Sequence, residues 1–113
     1  MTVREFETKY SLHDSLVKNI RYDSKKKELH FLLDFCWWMQ PGYDEDKPMP
    51  DLMELVFYNV PGYQGLQGAI DDLSILWFES GETNVTLALL DDLHDKLYPL
   101  TFFSDDIELR ATD

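Results

Sequence analysis

The chain has 113 residues, of which 44% are hydrophobic, and 22 acidic against 10 basic residues give it a formal net charge of -12. A chain of this length and apolar content is expected to fold as one domain, residues 1–113, and not to be intrinsically disordered. The negative charge argues against binding to nucleic acid or to an anionic membrane, because both repel an acidic surface.

The single cysteine, Cys36, excludes an internal disulfide and is typical of a protein from a reducing cytosol. The opening residues "MTVREFETKY" carry charges from Arg4 onward and lack the apolar core of a signal peptide. No segment approaches the roughly 18 apolar residues of a membrane span. We therefore expect a cytoplasmic protein.

The first 20 residues allow two structures. Thr2 and Glu5 form a capping-box pattern, and apolar residues recur at spacings of three and four as far as Ile20, which predicts one amphipathic helix. The alternative is a short helix to about Tyr10, then a strand "LVKNIRY" (16–22) that pairs with residues 28–39 across the turn "DSKKK". We favour this second structure, although Lys18 interrupts the alternation of its strand.

Residues 28–39, "ELHFLLDFCWWM", alternate over their whole length and predict a long strand. One face carries six large apolar side chains: Leu29, Phe31, Leu33, Phe35, Trp37 and Met39. The other face is mixed, with His30, Asp34 and Cys36 on it, and we expect it to be partly covered. Trp38 shares this second face, either within a second packed layer or as an exposed anchor for a partner.

Five further segments alternate in the same way, and turn-like sequences separate them. Their predicted apolar faces are Met53, Leu55 and Phe57; Leu73, Ile75 and Trp77; Val85, Leu87 and Leu89; Tyr98, Leu100 and Phe102; and Ile107, Leu109 and Ala111. Pro99 cannot donate to a strand ladder, so its strand should start there or lie at an edge. Short alternating strands with short connections predict a mostly β domain, an antiparallel β-sandwich or open barrel with one short N-terminal helix.

The tripeptide His13-Asp14-Ser15 contains the three residue types of a hydrolytic triad. In a triad these side chains converge from separate elements, which adjacent residues rarely achieve, and the chain has no G-x-S-x-G elbow. The structural interpretation is that Asp14 or Ser15 caps a backbone turn where an element begins. We predict that the protein is not an enzyme, and a hydrolase that uses Ser15 with His13 is the competing hypothesis.

No sequence pattern predicts a metal ion or a cofactor. The three histidines lie far apart, and neither an H-x-x-x-H nor a C-x-x-C spacing occurs. The acidic segment 43–51 lacks the glycine and terminal glutamate of an EF-hand, and "DDLHDK" (91–96) is typical of a solvated turn. The loop "PGYQGLQGA" (61–69) has glycines three apart but no Lys, Ser or Thr for a phosphate, so it predicts a wide turn or a bulge.

The segment "SLHDSLVKNIRYDSKKKELHFLLDF" (11–35) resembles the opening of several families of small bacterial proteins. The similar features are Leu-His-Asp-Ser, a short apolar run, a polar turn and an alternating strand, and residues 53–63 and 98–111 follow the same plan loosely. Some of these families are grouped with immunity proteins of polymorphic toxin systems. The resemblance implies a mostly β domain without established catalysis, in which His13 and Asp14 are structural markers.

The charge is unevenly distributed along the chain. Residues 1–27 carry seven basic and four acidic residues, a local +3, whereas residues 28–113 carry three basic and 18 acidic residues, a local -15. We therefore predict a non-catalytic, immunity-like protein that binds a basic protein partner. Its predicted contact residues are two aromatic anchors and acidic turns: Trp38, Tyr43, Asp44, Glu45, Asp46, Asp91, Asp92 and Asp95. The alternative is a small-ligand or self-assembly module, such as a homodimer in which the basic segment of one chain meets the acidic body of another.

Overall fold

A computed structural model describes residues 1–37, 40–42, 44, 46, 50, 52–81 and 84–112, with Asp71 described by its backbone alone. The elements in chain order are α1 (Val3–Lys9), β1 (Leu16–Asp23), β2 (Glu28–Asp34), β3 (Leu52–Tyr58), β4 (Gly68–Ser80), β5 (Asn84–Asp91), β6 (Lys96–Phe103) and β7 (Asp106–Ala111). The strands form one antiparallel sheet of seven, in the order β6-β5-β4-β1-β2-β3-β7. The predicted mostly β fold with one short N-terminal helix is confirmed.

The sheet curves on itself until its two edge strands approach each other. Only Ser104 and Asp105 separate β6 from β7 in the sequence, although these strands lie at opposite edges of the sheet. Phe102 of β6 packs against Phe57 of β3, with ring centroids 4.8 Å apart. Within the described part of the chain no backbone pairing joins β6 to β7. Of the two arrangements predicted, this is the open barrel, and Pro99 lies on an edge strand as expected.

The core fills the inside of the curved sheet. Alternating positions of the strands supply it, and α1 adds Val3 and Phe6 from one end. The predicted core residues found buried are Leu29, Phe31, Leu33, Phe35, Met53, Leu55, Phe57, Leu73, Ile75, Val85, Leu87, Leu89, Leu100, Phe102 and Ile107. Each large apolar side chain contributes about 1.5–3 kcal/mol on burial, which makes this cluster the main source of stability. Ala111, predicted on the same face as Ile107, is exposed at the end of β7.

The N-terminal segment is a short helix followed by a hairpin, as favoured above. The Glu5 N–H donates to Thr2 Oγ1 at 3.1 Å, and the Glu5 carboxylate reaches back to the Thr2 N–H, which completes the capping box. β1 then pairs with β2, and its register shifts between Val17 and Asn19. This bulge explains why Lys18 breaks the alternation, since the extra residue lets Val17 and Ile20 both face the core.

The strand predicted over residues 28–39 ends early, at Asp34. Beyond it the backbone of Cys36 bonds to side chains instead of a neighbouring strand: its N–H donates to Ser15 Oγ at 2.9 Å and its C=O accepts from Gln40 Nε2 at 2.7 Å. The prediction that Trp37 continues the core face is therefore wrong. Trp37 is half-buried and donates its indole N–H to the Pro50 carbonyl at 2.8 Å. Met39 lies outside the described residues.

Candidate functional site

The His13-Asp14-Ser15 tripeptide forms the turn that leads into β1. Ser15 is fully buried and its hydroxyl accepts from the Cys36 N–H, whereas His13 and Asp14 are exposed, with His13 Nδ1 3.5 Å from Asp14 Oδ1. Asp14 adopts a left-handed conformation with φ 67°, which aspartate tolerates better than most residues. Ser15 therefore points inward and the other two side chains point outward, so the three do not converge as a triad does.

The same turn is bonded to β4 at Ile75. The Asp14 N–H donates to the Ile75 carbonyl at 3.1 Å, and the Ile75 N–H donates to the Ser15 carbonyl at 2.9 Å. Immediately after Ile75 the pairing of β4 with β5 shifts, and Leu76 is the extra residue of a bulge. The bulge is the structural feature on which the candidate site depends.

The bulge reverses the alternation of β4. Leu73 and Ile75 are buried as predicted, but Leu76 is 38% exposed and Trp77 is 42% exposed, while Phe78 packs against the core in their place. The prediction that Trp77 lies in the core is wrong for this reason. A signal was present in the sequence: four consecutive large apolar residues, "ILWF" (75–78), cannot all face one side of a strand.

Trp77 belongs to an apolar surface on the outside of β4, β5 and β6. Directly paired residues of antiparallel strands share a face, and Trp77 pairs with Ala88, which pairs with Pro99. Leu97 and Phe103 lie on the same side of β6 and are 42% and 52% exposed. We call this surface the β4–β6 face and define it by Trp77, Leu90, Leu97, Pro99 and Phe103. Ala88 in its middle is fully buried, and Thr86 and Thr101 lie between Pro99 and Phe103. Outward positions of an antiparallel sheet are usually polar, so exposed apolar residues here are unusual.

Acidic residues lie at one end of the β4–β6 face. Residues 68–103 carry seven acidic residues and one basic residue, Lys96. Three of the acids lie at the β5–β6 connection: Asp91 ends β5, and Asp92 and Asp95 lie in the turn. At about 3.3 Å per residue, they are about 10–13 Å along the strands from Pro99. The hydrogen bond from His94 lowers the pKa of Asp91 below its ordinary value. The face therefore has exposed apolar residues next to an acidic turn.

The predicted contact residues fall into three groups. Asp91, Asp92 and Asp95 border the β4–β6 face. Asp44 and Asp46 are exposed in the connection from β2 to β3, and two strands, β1 and β2, separate β3 from β4 in the sheet. Trp38, Tyr43 and Glu45 lie outside the described residues. The structure therefore places the acidic residues 91–95 near exposed apolar residues of β6, and Trp77 is the exposed tryptophan that sequence reasoning assigned to the core.

A groove of about 310 Å³ lies between α1 and the bulge of β4. Glu7 of α1 and Tyr10, the residue just after α1, line the groove. It is also lined by His13 of the turn and by Leu76 and Trp77 of β4. The Tyr10 ring is held by Phe6 and Phe35, at centroid distances of 4.9 and 6.2 Å. The groove therefore opens directly beside the β4–β6 face, with Trp77 common to both.

A second polar cluster lies on the outer side of β2, β3 and β7. The two ring nitrogens of His30 contact Glu54 Oε1 and, at 3.0 Å, Glu28 Oε1, and Arg110 Nη2 lies 2.8 Å from Glu54. Burial raises the pKa of Glu54, but the hydrogen bonds from His30 and Arg110 outweigh it, and the pKa lies below its ordinary value. Since both ring nitrogens are engaged, this cluster joins the three strands and presents no ring nitrogen to a ligand.

Comparison of the chain with protein-family models, with curated proteins and with solved structures found no match. Among the described residues no group of His, Cys, Asp and Glu side chains has the arrangement of a metal site. The described helix is too short to cross a membrane. The assignment of a function consequently depends on the geometry of the β4–β6 face and the groove beside it.

Proposed function

We propose that the protein is a non-catalytic, immunity-like binding module that recognises a basic partner protein through the β4–β6 face. One observation carries the proposal. Trp77, Leu97 and Phe103 are exposed on one side of β4–β6, and residues 68–103, which contain these strands, carry seven acidic residues and one basic residue. Tryptophan at the centre of a desolvated patch is a frequent source of binding energy, whereas charges at the border orient the partner and accelerate association.

The face is a better docking surface than either edge of the sheet. Pro99 on β6 has no N–H with which to bond an added strand. At the other edge the first residue covers the start of β7: the Ile107 N–H donates to the Met1 carbonyl at 2.9 Å, and the Met1 ammonium lies 2.9 Å from Asp106. A partner is therefore expected to pack on side chains and not to extend the sheet.

The proposal places this contact in the cytoplasm and assigns no catalytic role to Ser15. A single cysteine suits a reducing compartment. The buried Ser15 hydroxyl is occupied as an acceptor for the Cys36 N–H, which supports a structural role.

Photo-crosslinking in the producing cells tests the proposal. The cross-linking amino acid p-benzoylphenylalanine would replace Leu97 on the face or, as the control, Lys25 in the turn between β1 and β2. We expect position 97 to capture a protein with a pI above about 9, and position 25 not to capture it. Trp77→Ser should abolish the capture, whereas Leu52→Ser, which alters an exposed apolar residue of β3, should leave it intact.

The kinetics of the purified pair add a second criterion. Higher salt should slow association much more than it changes dissociation, because screening acts mainly on long-range attraction. Equal capture from positions 97 and 25, or a captured partner that is neutral or acidic and binds equally well at high salt, would contradict the proposal. Capture of a second copy of the chain would instead support the self-assembly module.

A further inference from the structure

The groove beside Trp77 is suited to bind one long side chain. Its volume is about 310 Å³, which leaves room for one long side chain. Trp77 and Leu76 form one apolar wall and Tyr10 another. The Trp77 position is imposed by the bulge, and Tyr10 is held between Phe6 and Phe35, so both walls exist before a ligand arrives.

The charge of the groove is negative. Glu7 lines it, and one of its carboxylate oxygens accepts from the Ser80 hydroxyl at 2.6 Å. This bond orients the carboxylate, and no other hydrogen bond to it is found among the described residues. His13 also lines the groove, and its Nδ1 lies 3.5 Å from Asp14 Oδ1. No lysine or arginine of the described residues lines the groove.

We propose that this groove binds an arginine side chain of the basic partner, with Trp77 stacked on the guanidinium and Glu7 as its counter-charge. The inference rests on the proposed function, and it names the chemical group that the face selects. A guanidinium is planar, stacks on aromatic rings and donates several hydrogen bonds to a carboxylate, so it matches a groove with an aromatic wall and a carboxylate. A lysine ammonium satisfies the charge but not the stacking.

Fluorine NMR on protein labelled with 5-fluorotryptophan tests this inference without a known partner. The chain has three tryptophans, and Trp77→Phe identifies the Trp77 resonance by its loss. Nα-acetyl-arginine methylamide should shift that resonance in a saturable manner, whereas the uncharged analogue Nα-acetyl-norleucine methylamide should not shift it at the same concentration. Glu7→Gln, which retains an acceptor for Ser80, should weaken the arginine probe about threefold, as expected for a partly exposed ion pair.

Glu79→Gln is the matched control. Glu79 is an exposed glutamate on β4, the strand of Trp77, but it does not line the groove. An absent shift, equal shifts from the two probes, or equal effects of Glu7→Gln and Glu79→Gln would each overturn the inference. The cross-linking experiment separates this failure from failure of the proposed function. If Trp77-dependent capture at position 97 persists unchanged in Glu7→Gln, the face binds a basic partner without placing arginine in the groove.

Discussion

Gln40 fixes the lip of the groove, and Gln40→Met should therefore destabilise the protein. Gln40 is only 9% exposed, and its side-chain amide makes three hydrogen bonds to backbone groups. Its Oε1 accepts from the Ser11 N–H at 2.8 Å, and its Nε2 donates to the carbonyls of Ser11 and Cys36, both at 2.7 Å. Methionine has a similar length and volume but makes none of these bonds, so the substitution isolates the polar contribution.

The expected loss follows from the number of bonds. A net contribution of about 1 kcal/mol for each of the three gives about 3 kcal/mol. With a urea m-value of about 1–3 kcal/mol/M, the unfolding midpoint should fall by about 1–3 M. Because Ser11 lines the groove, its amide should also exchange with solvent faster than in the wild type.

Urea unfolding followed by circular dichroism, together with hydrogen exchange by NMR, measures both effects. Gln64→Met is the matched control, since Gln64 is exposed in the loop before β4, and it should change stability by less than about 0.5 kcal/mol. A loss below about 1 kcal/mol in Gln40→Met, with the Ser11 amide as protected as before, would refute the assigned role of Gln40.

Three further predictions concern buried or partly buried polar groups. Ser15→Ala should lower the free energy of unfolding by about 1–3 kcal/mol, because the Cys36 N–H loses its acceptor. In the same urea titration His13→Ala should leave the free energy of unfolding nearly unchanged. Labelling of native but not unfolded Ser15 by a fluorophosphonate probe would support the hydrolase hypothesis instead. The pKa of Glu54 is lowered on folding, so its stabilising contribution is present above its ordinary pKa of 4.5 and is lost as the pH falls through the folded-state value. The stability difference between wild type and Glu54→Gln should accordingly shrink from neutral pH to about pH 3, and a constant difference would contradict this. Burial raises the pKa of Tyr63 to about 12, so this residue favours folding below the unfolded-state pKa of about 10 and loses that contribution as the pH rises through the folded-state pKa. An absorbance titration should show a late tyrosinate step that Tyr63→Phe removes.

The acidic part of the candidate site was predictable because charge and turn composition are local properties. Asp91, Asp92 and Asp95 follow directly from the segment "DDLHDK", and their place beside exposed apolar residues needed only the β5–β6 hairpin. The aromatic anchor was not predictable in the same way. Period-two alternation assigned Trp77 to the core, and only an unpaired residue at position 76 moves it outward.

Local sequence alone determined the capping box at Thr2, the hairpin between β1 and β2, and core positions such as Val85, Leu87 and Leu89. Each depends on spacing within one element or on the turn next to it, so neighbouring residues suffice to specify it. Tertiary structure decided where β2 ends and where β4 bulges. At both places the backbone bonds to groups remote in sequence. Beyond β2 the Cys36 N–H donates to Ser15, and at the β4 bulge Ile75 bonds to residues 14 and 15. A backbone hydrogen bond to a distant partner interrupts the regular strand pairing. Beyond that point the alternation in the sequence no longer predicts which side chains face the core.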